Sequence, residues 1–141
     1  MDIRVRFPGG KRVDARVGAH CVRTDQSLEH GGQGFAPEPF DLFLASLASC
    51  AGLYVLTFCQ ARQLPTEGIW LEQHQEFDPT SHALTQVTLT VHLPATFPDK
   101  YRDDVQHAAD GSKLVKMLAA PPKVVVHTET DDFGARVSWV A

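Results

Sequence analysis

A chain of 141 residues, 43% apolar and 21% charged, has the length and composition of one globular domain rather than of a disordered or fibrous segment. Its formal charge of −4 at pH 7 is scattered along the chain with no Lys/Arg run, which argues against nucleic acid or an anionic membrane surface as a partner. The three cysteines, Cys21, Cys50 and Cys59, do not make the even-numbered framework of a small secreted domain, so a reducing, cytoplasmic setting is expected.

The opening Met-Asp-Ile-Arg-Val-Arg-Phe alternates charge with hydrophobe and has no apolar run, so it reads as a strand and not as a signal peptide. Residues 2–7 and 11–17 both alternate and flank Pro8-Gly9-Gly10, a hairpin pattern; a third short strand is expected at about Ala19–Thr24. From Leu28 to Pro39 the residues Gly31, Gly32, Gly34, Pro37 and Pro39 forbid a regular element and predict a loop. A long helix follows, from about Pro39 to Gln63, and stops before Pro65 and Gly68.

Within that helix Leu42 to Cys59 runs eighteen residues without a charge, at the lower limit for crossing a bilayer. Seven of the eighteen are Ala, Ser, Gly or Thr, which contribute little to partitioning, and the flanking residues Glu38, Asp41 and Arg62 show no strong basic asymmetry. A buried core helix is therefore expected, not a membrane span.

Gly68–Phe77 and Leu84–Leu93 alternate around Asp78-Pro79-Thr80-Ser81 and read as a second hairpin. Between Asp99 and about Leu118 the apolar spacing is helical with a break at Gly111, which predicts two short helices ended by Pro121-Pro122. Val124–Thr130 and Ala135–Val140 are expected to supply one or two closing strands. The order of elements is that of an α+β fold, with an antiparallel or mixed sheet packed by a long central helix. One sheet in so small a domain cannot cover every face of a ~25-residue helix about 37 Å long. Part of its surface should therefore meet a second subunit, and a homodimer is expected.

The run from Gly31-Gly32 through Pro37-Glu38-Pro39, Asp41-Leu42-Phe43 and the small-residue helix to Cys50 resembles the signature of the OsmC/Ohr family. So does its continuation through Leu64-Pro65 and Glu67-Gly68-Ile69, and the order of elements is similar over nearly the whole chain. The resemblance is closer to the general OsmC-like branch than to the two-cysteine peroxidase branches. It implies one OsmC-like domain over residues 1–141, in an intertwined homodimer with two active sites at the subunit boundary. It also implies a stress-response peroxidase that needs no cofactor. In the peroxidase members a helix cysteine attacks the O–O bond of a small apolar hydroperoxide, and the sulfenic acid formed is resolved to a disulfide that an external thiol reductant reopens.

From the residues alone a single cysteine on an apolar helix reads as a small buried hydrophobe; the family signature instead makes Cys50 the catalytic candidate. Where the family has its resolving cysteine this chain has Ser112, which cannot form a disulfide. Cys59, nine residues on, falls on the opposite face of the helix ~13 Å further along and reads as structural. The peroxidase branch carries an acidic residue ten before the cysteine, where this chain has Phe40. Asp41, the next residue, reads either as a helix cap or as a catalytic carboxylate. Arg12 and Arg23 lie in the region that supplies the family's activating arginine, and each reads alternatively as a solvated strand residue.

The seven histidines show no ligand spacing and no metal site is expected; there is no phosphate loop, dinucleotide fingerprint or Gly-x-Ser-x-Gly elbow. The expected function is thiol-dependent reduction of organic hydroperoxides through Cys50. The alternative is a dimer that binds a small apolar or thiol-reactive ligand, or senses redox state, without turnover.

Overall fold

The structure, a computed structural model, describes residues 2–130. They fall into two compact units, residues 2–42 with 122–130, and residues 43–121.

In the first unit β1 (Ile3–Gly9), β2 (Arg12–Val17) and β3 (His20–Thr24) form an antiparallel sheet in the order β1-β2-β3. Ile3 pairs with Val17 and Gly9 with Arg12, with a shift of register between Arg6 and Gly9. The turn is built by Gly9 (φ 122°) and Gly10 (φ 62°), a backbone region that residues with a Cβ avoid. β2 pairs with β3 from Val13↔Thr24 to Val17↔His20, which sets Asp14 opposite Arg23. The glycine-rich loop follows as the sequence predicts, tied to its own start by Asp25 N–H donating to the Pro37 carbonyl at 3.3 Å.

The strand expected at Val124–Thr130 does not form. These residues have no regular structure, and Val124 and Val126 are more than 80% exposed. Three consecutive valines favour extended backbone, but a strand is stable only against a paired edge, and no described strand pairs with them. The other expected strand, Ala135–Val140, lies outside the described residues.

The helix α1 (Pro39–Ala61) starts in the last residues of the first unit and continues through the second. It ends two residues earlier than its apolar pattern predicts. Gln63 takes a left-handed conformation (φ 55°), Gln63 N–H bonds the Gln60 carbonyl at 3.1 Å and Leu64 N–H bonds the Cys59 carbonyl at 2.9 Å, a Schellman cap. Leu64 also packs on the core containing Cys59, the apolar contact that accompanies this cap.

β4 (Trp70–Phe77) and β5 (Leu84–His92) form a separate two-stranded antiparallel sheet. Asp78 closes their turn by accepting hydrogen bonds from the N–H groups of Thr80 and Ser81. A 3-10 turn at Asp99–Tyr101 leads into α2 (Arg102–Asp110) and α3 (Lys113–Ala119), with Gly111 as the break between them. The described strands thus make two antiparallel sheets, not one.

The core of the second unit joins Ala51, Val55 and Cys59 of α1 to Phe97, Val105 and Ala109, flanked by Leu71, Leu89 and Val91 of the sheet. Alternation along β4 and β5 turns those three residues to one side, while Glu72, His74 and Thr90 face outward. On α1 the buried residues Leu47, Ala51, Val55 and Cys59 recur every fourth position, a single stripe. Away from that stripe Leu53 and Leu56 are exposed, as is Tyr54 at its edge. By length and mean hydropathy α1 could cross a bilayer, yet within the fold one face lies in the core while the outer face is also apolar. The expectation of a helix buried in the core holds for one face only.

Candidate functional site

Cys50 lies on α1, half-buried, three residues beyond the buried Leu47. Residues three apart on a helix are neighbours, so Cys50 borders the ground that Leu47 covers. That ground is part of a groove of about 420 Å³ lined mostly by the apolar Leu47, Leu84, Val87, Leu89, Val115 and Leu118, with Thr85 and Gln86 also in its wall.

The hydroxyl groups near Cys50 are engaged by their own helix. Ser46 donates to the Phe43 carbonyl at 2.6 Å, Ser49 to Ala45 at 2.7 Å and Thr57 to Leu53 at 2.8 Å. Each of these hydroxyls has one proton to give, so none of the three is left to donate to the Cys50 sulfur.

The other thiols differ. Cys59 is fully buried in the core, and desolvation pushes its thiol pKa up, the environment of an inert cysteine. Cys21 is exposed on β3. All three are free thiols. Ser112 caps the start of α3, where its carbonyl accepts the Lys116 N–H at 3.1 Å, yet its side chain is fully buried and its Oγ has no hydrogen-bond partner.

In the first unit the structure surrounds Arg12 with residues that the sequence reading did not single out. The guanidinium sits over the Phe35 ring, 4.6 Å from its centroid, and Nη2 lies 3.9 Å from Oδ1 of Asp14. Asp14 is completely buried on β2, and its Oδ2 accepts hydrogen bonds from Arg6 at 3.0 and 3.3 Å. Asp25, also buried, accepts the N–H groups of Gln26 at 2.8 Å, Phe35 at 3.1 Å and Gln33 at 3.2 Å. The Phe35 N–H chiefly, then those of Gln26 and Gln33 and the charge of Arg12, hold the Asp25 carboxyl below the usual carboxylate range against the cost of burial. One carboxylate thereby fixes the glycine-rich loop and sets Phe35 against Arg12. An aspartate just ahead of a glycine-rich loop was the available sequence signal.

Of the other two candidates, Arg23 is exposed on β3 and makes no ion pair among the described residues. Asp41 accepts the Glu38 N–H at 3.1 Å through Oδ2, the reach-back bond of a capping box at the start of α1. Glu38 itself accepts the Ser27 N–H at 2.9 Å and pairs with His30 Nδ1 at 2.8 Å. The hydrogen bond to His30, then those from Ser27, lower the Glu38 pKa to about 2, while His30 is raised above its ordinary value chiefly by the same bond.

Residues 30–127 match the sequence model of the family described as OsmC-like protein. No curated protein matches the chain in sequence. Among solved structures the chain is similar to an osmotic stress induced and detoxification response protein of Psychrobacter arcticus, with TM-score 0.70 and 21% identity over 81% of this chain and 85% of that one. It is similar also to an OsmC-like protein of Mycoplasma pneumoniae, with TM-score 0.69 and 11% identity over 85% and 87%. A third, from Legionella pneumophila, is described as an organic hydroperoxide resistance protein and a predicted redox protein; it gives TM-score 0.59 and 18% identity over 84% and 88%.

Proposed function

Because the chain belongs to the OsmC-like protein family, we propose that it reduces organic hydroperoxides with Cys50 as the reacting thiol, as a cytoplasmic homodimer formed by one-domain subunits in a stress response. The observation that carries this reading is the position of Cys50, half-buried on α1 one helical turn from Leu47, which lines a groove. A sulfur in that position has partial access and a surface suited to an alkyl group. The description of the Legionella pneumophila protein as one of organic hydroperoxide resistance supports the choice of substrate class.

In the proposed step the Cys50 thiolate attacks one oxygen of the O–O bond. That bond breaks, an S–O bond forms, and the alkoxide leaves and takes a proton to become the alcohol. The sulfur is oxidised to a sulfenic acid. With Ser112 in place of a second thiol, an external thiol condenses with the sulfenic acid to release water, and a second thiol then frees Cys50 and leaves as the disulfide.

A thiolate beside apolar surface needs a cation. Arg12 and Arg23 are the candidates, and Arg12 is favoured because its guanidinium makes no side-chain hydrogen bond among the described residues. Asp41 serves the start of α1 in this reading.

The dimer is supported by apolar side chains that the single chain leaves exposed, among them Ile3 and Phe7 on β1 and Leu53 and Leu56 on α1. A second reading, a dimer that binds a small apolar or thiol-reactive ligand or registers oxidant without turnover, is favoured by Ser112. Consumption of an alkyl hydroperoxide in the presence of a dithiol, by the wild-type protein and not by Cys50→Ser, separates the two.

A further inference from the structure

The first unit contains a cavity of about 320 Å³ between the Gly9-Gly10 turn and the Gly31-Gly32 segment, with Lys11, Arg12 and Asp25 in its wall. At Gly9 and Gly10 no atom lies within 4 Å of where a Cβ would stand, so the backbone there is open to a visitor. Lys11 leans over the opposite turn, its Cε 3.8 Å from the Cβ position of Gly31.

Two cations and one carboxylate face this space, and the carboxylate is already committed. Asp25 is 1% exposed, and its two oxygens receive three backbone N–H groups. Arg12 is held more loosely, by a long ion pair to Asp14 and the ring of Phe35. Its Nε is buried without an acceptor, and the nearest oxygen of Asp14 is 3.9 Å away, beyond hydrogen-bond length. Oδ1 of Asp14 is likewise without a hydrogen bond, because Arg6 takes the other oxygen. Phe35 covers one face of the guanidinium, which leaves its donors in the plane of the fork.

From this geometry we propose that the cavity binds a small oxyanion, a carboxylate or a phosphate group, between Lys11 and the fork of Arg12. A planar fork matches the paired oxygens of either group. The glycine turns admit the anion close to the main chain, and Lys11 adds a point charge at the rim. The site shares Arg12 with the proposed activation of Cys50, so an oxyanion bound there would compete with that role.

The test is a titration of the full-length protein with sodium phosphate and, separately, sodium acetate, at ionic strength held constant with sodium chloride, followed by the amide signals of Gly9, Gly10, Gly31 and Gly32. Saturable shifts with either salt support the site, and the salt that saturates identifies which oxyanion it takes. Arg12→Gln should weaken binding on the order of tenfold, and Arg12→Lys should restore only part of it. Lys11→Gln, on an exposed turn, should weaken it by a smaller factor with the fold intact, which keeps the test valid if Arg12→Gln unfolds. Shifts that rise without saturation, that chloride alone reproduces, or that survive both Arg12→Gln and Lys11→Gln would overturn the proposal and leave Arg12 served by solvent.

Discussion

The ring of Phe35 carries the guanidinium of Arg12 at 4.6 Å, and the backbone N–H of the same Phe35 is held by the buried carboxylate of Asp25 at 3.1 Å. One residue thus couples the anchor of the glycine-rich loop to the cation on β2. Asp25→Asn leaves a single acceptor oxygen for three N–H groups. The amides of Gln33 and Phe35 should then exchange with solvent faster than in the wild-type protein, while those of the β4–β5 hairpin should not change. Equal exchange at Phe35 in both proteins would show that Asp25 is not the anchor.

The His30–Glu38 pair gives the loop a pH dependence with a definite sign. A raised histidine pKa contributes stability that is complete below His30's ordinary 6.5 and fades as pH climbs through the raised value. A carboxylate held at about 2 contributes stability present above its ordinary 4.5 and lost as pH falls from there towards 2. The pair should therefore stabilise most between 4.5 and 6.5. Urea midpoints of wild type and His30→Gln should differ most in that window and converge above neutrality. A difference independent of pH would contradict this.

Phe97 and Cys59 test the core of the second unit. Both are almost fully buried in one cluster. Phe97→Ala should cost about 3–5 kcal/mol of unfolding free energy through the cavity it leaves. Cys59→Ser places a hydroxyl in that apolar cluster and should cost about 1–3 kcal/mol, with hydroperoxide consumption per folded molecule unchanged. Loss of activity in folded Cys59→Ser would assign Cys59 a chemical role.

Much of the fold was legible because its signals are local. The two hairpins followed from alternation around Pro8-Gly9-Gly10 and Asp78-Pro79, and the break between α2 and α3 from Gly111. What failed depends on partners distant in sequence. Val124-Val125-Val126 has the propensity of a strand but no described edge to pair with, and α1 is apolar all round, so composition could not say which face the chain itself would cover. Cys50 was singled out only through the family signature, since helical spacing alone describes a core residue equally well. Asp14 and Asp25 went unnoticed because a charged residue on a short strand or at a loop start normally faces solvent. The pairing of β1 with β2 sets Arg6 opposite Asp14, and Arg12 lies two residues before Asp14 on the same strand and face.

Ser112 offers a test of how this chain departs from two-cysteine chemistry. Its buried Oγ has no partner, so Ser112→Ala should be neutral or slightly stabilising in thermal unfolding. Ser112→Cys should form a disulfide with Cys50 after peroxide treatment if the two Cα atoms come within about 7 Å. A marked loss of stability in Ser112→Ala would mean that the hydroxyl has a partner after all.

The most direct measurement of the central claim is the fate of Cys50 under a small excess of alkyl hydroperoxide, followed by mass spectrometry of all three cysteines with time. Cys50 should oxidise first and faster than a free cysteine, to a sulfenic acid that a dithiol reverses and further oxidant carries to the sulfinic acid. Buried Cys59 should remain a thiol, and Cys50→Ser should consume no peroxide. Oxidation of Cys50 no faster than a free cysteine, or no faster than that of the exposed Cys21, would contradict the account and leave α1 as scaffold.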